Sequence, residues 1–350
     1  MTTMSKKLQD SDTKMFAEAG TAGAVVARQI AATAGILADL GARLREMKPR
    51  AVVTCARGSS DHAATYAKYL IETKLGLLVS SAAPSIASVY AARQMLEGTL
   101  FIAVSQSGKS PDLLLTAEAA KASGAFVVAL VNVADSPLAK LADVVVPLSA
   151  GPELSVAATK SYIATLAAIL GLVAHWSADK ELMAALEALP RNLEAAWGLD
   201  WSGAAERLIS ARNMFVIGRG LGFAVTQEAA LKFKETSGIH AEGFSAAEVK
   251  HGPMAIVGHG FPVLVMSQKD ESRAGIPDLV NDFEARGAAV MTAGVGLKGG
   301  LELPVIEGAH PATEPILFIQ SFYRMVNRLS VLRGYNPDTP PHLNKVTETV

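Results

Sequence analysis

The chain has 350 residues, half of them hydrophobic, which suits two medium-sized cores better than one. Its 32 Lys and Arg against 33 Asp and Glu leave a net charge of −1, so no polybasic surface for nucleic acid or anionic lipid is indicated. The one cysteine, Cys55, excludes an intrachain disulfide and suits a reducing cytoplasm, and the polar start Met1-Thr-Thr-Met-Ser-Lys-Lys7 lacks a signal-peptide core.

Residues 13–47 are alanine-rich with helical periodicity and read as a lead-in helix packed on the first domain. A β/α alternation then begins, with predicted strands at 51–56, 77–80, 100–104, 125–131 and 143–148. A helical stretch from 160 to about 197 includes the most apolar run, 163–174, too short to span a bilayer and better placed as a buried helix. A second alternation has predicted strands at 213–217, 261–266, 288–292 and 303–306. Continuous apolar strands between helices imply α/β architecture, with parallel sheets covered by helices on both faces. The expected division is a lead-in at 1–47, subdomains at 48–198 and 199–335, and a tail at 336–350.

The two alternations look like copies. Val-Thr-Cys-Ala-Arg57-Gly58 matches Phe-Val-Ile-Gly-Arg219-Gly220, and Ile-Ala-Val-Ser105-Gln106 matches Leu-Val-Met-Ser267-Gln268. Both pairs are 162 residues apart, which points to an internal duplication.

In the first copy an apolar strand breaks into Ser105-Gln106-Ser107-Gly108-Lys109-Ser110, and a helix then opens with Pro111 and Asp112 in its first turn. Strand, hydroxyl-rich loop and helix N-terminus together form an anion cradle. The glycine a Walker loop requires is replaced by Ala103 inside the strand, so a sugar phosphate fits better than a nucleotide. Arg57-Gly58-Ser59-Ser60 makes a second donor-rich turn, placed with the first outside the C-terminal ends of parallel strands. A third loop, Glu153 to Lys160, enters a helix, where Thr159 reads as an ordinary N-cap. In the second copy Lys269-Asp270-Glu271 come after Gln268, and their carboxylates would repel an anion.

Glu228, Lys232 and Glu235 fall on one helical face, the pattern of a solvated ion-pair ladder when taken alone. The next, turn-rich segment adds His240, Glu242, Glu248, Lys250 and His251, and carboxylate, imidazole and ammonium together suggest proton transfer. The seven histidines show no HxxxH pairing, so a metal site is disfavoured. The tail begins proline-rich and ends in His342-Leu-Asn344-Lys345-Val-Thr, where a lysine in a closed pocket can act as an amine nucleophile.

Ser-Gln-Ser-Gly-Lys-Ser, Val-Ala-Ala-Thr-Lys, Leu-Lys-Phe-Lys-Glu, His-Ala-Glu…Glu-Val-Lys-His-Gly-Pro and the tail motif occur in the order of the sugar isomerase (SIS) family. Over nearly its whole length the chain resembles the isomerase half of glucosamine-6-phosphate synthases. The resemblance implies two tandem flavodoxin-like (SIS) subdomains in a homodimer with shared active sites. It implies that Ser59, Ser60, Ser105, Gln106, Ser107, Ser110 and Ala157 bind a phosphosugar. Glu235 would move a proton between C1 and C2, His251 of the neighbouring subunit would open the ring, Lys345 would form a Schiff base, and Lys232 and Glu228 would line the site. No metal or organic cofactor is implied.

Two residues depart from the family pattern: Arg57 stands in place of cysteine, and Ala158 in place of serine. The chain begins directly with the isomerase region, without the glutaminase part. The expectation is therefore a deaminase converting glucosamine 6-phosphate and water to fructose 6-phosphate and ammonia. Galactosamine 6-phosphate or a fructosamine-type 6-phosphate as substrate, ammonia-dependent synthesis, and a non-catalytic phosphosugar sensor stay open as alternatives.

Overall fold

The structure, a computed structural model, describes residues 8–296 and 300–345. The N-terminal residues 1–7 and the Val346 and Thr347 of the tail motif lie outside them.

Two helices, α1 (Lys14–Gly20) and α2 (Ala22–Met47), precede the first sheet. That sheet comprises β1 (Val52–Cys55), β2 (Val79–Ser81), β3 (Leu100–Ser105), β4 (Phe126–Val131) and β5 (Val144–Pro147). Its crossovers contain α3 (Ser59–Leu75), α4 (Ser85–Ser88), α5 (Pro111–Ala122) and α6 (Pro137–Leu141). A helical layer of α7 (Lys160–Ser177), α8 (Lys180–Gly198) and α9 (Ser202–Leu208) comes next. The second sheet comprises β6 (Asn213–Gly218), β7 (His240–Ser245), β8 (Pro262–Met266), β9 (Ala289–Ala293) and β10 (Leu301–Leu303), with α10 (Gly222–Ser237), α11 (Ile276–Ala285) and the closing α12 (Glu314–Leu332).

Both sheets are wholly parallel. The first runs β2-β1-β3-β4-β5, and the second has the same order from its far end, β7-β6-β8-β9-β10. This is the flavodoxin-type doubly wound order. Alternate strand residues separate the two faces. Leu100, Ile102 and Val104 of β3, with Met214 and Val216 of β6, join one core cluster shared by both sheets. Phe101 and Ala103 face α5, while Val263 and Val265 face α11. Burial on both faces is why these strands read as unbroken apolar runs.

The apolar run 163–174 is the middle of α7, which is buried almost throughout between α2, α3 and α8. Helix α2 is the one helix among the described residues long and apolar enough to cross a membrane. Its apolar stripe, including Val25, Leu37 and Leu44, is instead covered by α7 and α8.

Two strands differ from expectation. Residues 240–245, read as turn-rich, form β7; as an edge strand it needs only one covered face, so it lacks an apolar run. The 162-residue displacement carries Val79–Ser81 of β2 onto residues 241–243, so the duplication itself held the signal. The last strand is Leu301–Leu303, not 303–306, because Pro304 has no N–H to continue the ladder.

Candidate active site

The loops after β1 and β3 flank the point where the strand order reverses, and a cavity of about 350 Å³ opens there. Ser105, Gln106, Ser107 and Ser110 line one side. Gly108 (φ +63°) lets this loop fold on itself, so that Ser105 Oγ accepts the Gly108 N–H at 3.0 Å and Ser107 Oγ accepts the Lys109 N–H at 3.3 Å. Each hydroxyl then keeps its own hydrogen for an incoming oxyanion. Ser110 ends the loop as the N-cap of α5, with Pro111 in the first turn.

The other turn brings Arg57, Gly58, Ser59 and Ser60 to the same cavity. Arg57 Nε and Nη2 donate to Asp112 Oδ2 at 2.9 and 2.7 Å, joining the β1 turn to the first turn of α5. Cys55, just below, is buried; burial first, and then Asp112, pushes its thiol up to about 12, so it stays protonated.

Helix α10 crosses α3 and brings the second half to this crevice. Lys232 and Glu235 line the cavity. Lys232 Nζ sits 3.1 Å from Glu228 Oε1, 2.6 Å from Glu235 Oε2 and 3.1 Å from Ser59 Oγ. Glu228 is wholly buried behind this layer, so it supports the site rather than lining it. Its carboxylate accepts from Ser59 Oγ at 3.0 Å and Tyr323 OH at 3.2 Å, and faces His62 Nδ1 at 2.9 Å. A solvated ladder is thus excluded: Glu228 and Lys232 are buried, and only Glu235 keeps appreciable exposure, 21% of its side chain, where it and Lys232 meet the pocket.

These contacts fix the charges. Burial opposes ionisation of Glu228, but Lys232 and His62 outweigh it and hold the carboxyl below its usual range. Burial likewise opposes the Lys232 charge, and Glu228 and Glu235 outweigh it to keep the ammonium protonated far into alkaline pH. Burial and the Glu228 charge keep the Tyr323 hydroxyl neutral, as a donor should be.

The tail closes a third side. Leu343, Asn344 and Lys345 line the cavity, and Lys345 Nζ donates to Ser155 O at 2.7 Å and lies 3.3 Å from Glu153 Oε2. Thr159 is not the side-chain cap of α7; its Oγ1 is buried without a partner among the described residues. Glu153 does that work, accepting Thr159 N–H at 2.9 Å, Ser161 N–H at 3.2 Å and Ser161 Oγ at 2.6 Å.

Of the residues singled out from sequence, Ser59, Ser60, Ser105, Gln106, Ser107, Ser110, Lys232, Glu235 and Lys345 meet in one cavity. Ala157 is buried behind the wall, and its neighbours Val156 and Ala158 provide the surface. His251 is exposed, just after the short 3₁₀ turn Glu248–Lys250, and is not brought to the cavity of its own chain. Sequence reasoning missed His62, although one helical turn separates it from Ser59 on α3.

The SIS domain pattern matches residues 47–174 and 207–294. The chain is 34% identical over 325 residues to a glutamine–fructose-6-phosphate aminotransferase (isomerizing) of Symbiobacterium thermophilum, covering 87% of this chain and 52% of the relative. It is 35% identical to that of Methanothermobacter thermautotrophicus, covering 89% and 52%. The chain thus spans about half the length of these curated relatives. A crystal structure of a candidate phosphosugar isomerase from Silicibacter pomeroyi superposes with a TM-score of 0.90 at 43% identity, over 93% of this chain and all of that one. The C-terminal domain of glucosamine-fructose-6-phosphate aminotransferase from Francisella tularensis gives 0.84 at 25% identity, covering 94% and 99%.

Proposed function

This chain belongs to the SIS domain family, and from that premise we propose that it is an isomerase and deaminase of a 2-amino-hexose 6-phosphate. The observation that carries this reading is a single cavity with a hydroxyl-rich cradle on one side and the Glu235–Lys232 pair on the other. The serines hold the phosphate, and binding there places C1 and C2 of the open-chain sugar toward α10. His251 of a second copy opens the ring, which requires a homodimer with shared sites. Glu235 takes the C2 proton and returns it at C1 while a proton passes from the C2 nitrogen to O1, converting the C1 aldehyde to a hydroxymethyl group and the C2 amine to an imine. Lys232 holds Glu235 in place and balances its charge. Water adds to the C2 imine and ammonia leaves, either directly or after exchange of the imine onto Lys345. The sum is glucosamine 6-phosphate plus water to fructose 6-phosphate plus ammonia.

Deamination needs only water as co-reactant, whereas synthesis needs ammonia supplied to the site. The aminotransferase relatives favour the synthetic direction as the second reading. Ammonia release from glucosamine, galactosamine and fructosamine 6-phosphates, and glucosamine 6-phosphate formation from fructose 6-phosphate and ammonium, test both. Tight phosphosugar binding with no turnover in any arm would replace the enzyme reading with a sensor.

A further inference from the structure

Arg57 bridges the crevice between β1 and β3. Its partner Asp112 is fully buried in the first turn of α5, whereas the Arg57 side chain is 53% exposed and lines the cavity. A guanidinium has five N–H donors; two are spent on Asp112 Oδ2, so among the described residues three remain for another partner. Three cations line this cavity among the described residues, and the other two are committed elsewhere. Lys232 lies between Glu228 and Glu235, and Lys345 lies on Glu153 and the Ser155 carbonyl. Arg57 alone is tied to the helix whose N-cap is Ser110, the end where the loop hydroxyls converge.

We propose that Arg57 is the cationic ligand of the substrate's phosphate and that Asp112 is its positioning residue. The proposal rests on the cradle reading of the 105–110 loop. A phosphate held only by neutral hydroxyls and a helix N-terminus gains charge-assisted hydrogen bonds from a guanidinium already fixed at one edge. Asp112 can hold that edge without presenting its own charge to the ligand, because its side chain is buried behind the guanidinium.

Calorimetric titration with inorganic phosphate tests this without assuming any reaction. Arg57→Ala should weaken phosphate binding about ten- to hundredfold. Arg57→Lys should recover part of the loss, as a point charge without the fork. Asp112→Asn retains the cation but loosens it, and should cost less than Arg57→Ala. Arg57→Gln, which keeps a hydrogen bond to Asp112 without the charge, serves if the alanine variant does not fold. Equal losses for Arg57→Ala and Asp112→Asn would make Arg57 a mere clasp and overturn the proposal. An effect of Ser107→Ala with none from Arg57→Ala or Arg57→Gln would overturn it while sparing the cradle. No effect from any of these would remove the cradle as well.

Discussion

Replacing Glu235 with glutamine separates chemistry from architecture. Lys232 would lose the charge 2.6 Å away but keep Glu228 and Ser59, each at 3.1 Å, and the glutamine carbonyl can still accept its hydrogen bond. Glu235 is also the partly exposed member of the set, so stability should change by no more than about 1 kcal/mol. Turnover should fall far more. Loss of a general base costs about two to four orders of magnitude in kcat, or about 3–5 kcal/mol of barrier. KM should move little, since the proposed phosphate contacts lie on the opposite wall. The assay tracks exchange of the C2 hydrogen of glucosamine 6-phosphate with deuterated solvent by NMR, alongside ammonia release. Exchange at the wild-type rate in a folded Glu235→Gln protein would refute Glu235 as the base.

Glu228→Ala should do the reverse and cost about 3–5 kcal/mol of stability in urea unfolding, because it leaves the buried Lys232 charge with only one carboxylate; a loss below about 1 kcal/mol would mean that water reaches the network. The same pair sets a pH window: Glu228 titrates lower when folded, so its contribution stands above its ordinary value of 4.5 and is lost as pH falls through the folded value. Lys232 titrates higher when folded, so its contribution stands below 10.5 and is lost as pH rises through the folded value; stability measured against pH should therefore be flat between these limits as far as this pair is concerned. Gly108→Ala should disrupt the cradle, since a Cβ would clash with Ser136 Oγ from a left-handed backbone costing about 1–2 kcal/mol, and phosphate titration should show weaker binding in a folded protein. If His251 serves a second copy's site, mixing His251→Ala and Glu235→Gln chains should restore activity that neither has alone; no recovery despite demonstrated subunit exchange would remove His251 from that role.

Features with a local signature were legible in the sequence. Apolar strands, the hydroxyl loop broken by Gly108, the proline-led start of α5 and the i, i+4, i+7 face of α10 are short-range patterns, and all but the last strand stand where expected. Three kinds of feature escaped. β7 pairs at a sheet edge and has no apolar run to announce it. The α7 cap is made by Glu153 from six and eight residues upstream, where a local rule looks to Thr159. The third kind is contact between distant residues: Arg57 with Asp112, His62 with Glu228, and Lys345 with Glu153 are 55, 166 and 192 residues apart. No periodicity links such pairs, so burial of Glu228 and the task of Arg57 had to come from the fold.

The duplication explains why one site, rather than two, is assembled. The 162-residue displacement carries α3 onto α10, and the left-handed glycines that end them, Gly76 and Gly238, coincide under it. Under the same displacement Glu228, Lys232 and Glu235 fall opposite Tyr66, Leu70 and Thr73, so α3 lacks these three charges. Ser59 and His62 fall opposite Leu221 and Ala224, so α10 has no polar start. The second cradle is also occupied from within: Asp270 accepts Ser272 N–H and Gln268 Nε2, and Glu314 takes the Lys269 N–H. Donors proposed to bind an oxyanion in the first copy have counterparts in the second that are satisfied by carboxylates, which is a stronger bar than the repulsion of exposed charges. Helices α3 and α10 pack against each other, and each supplies what the other has lost. The hydroxyls of one copy and the carboxylates of the other can meet only across that contact, so a change that separates α3 from α10 should abolish the chemistry while leaving both sheets intact.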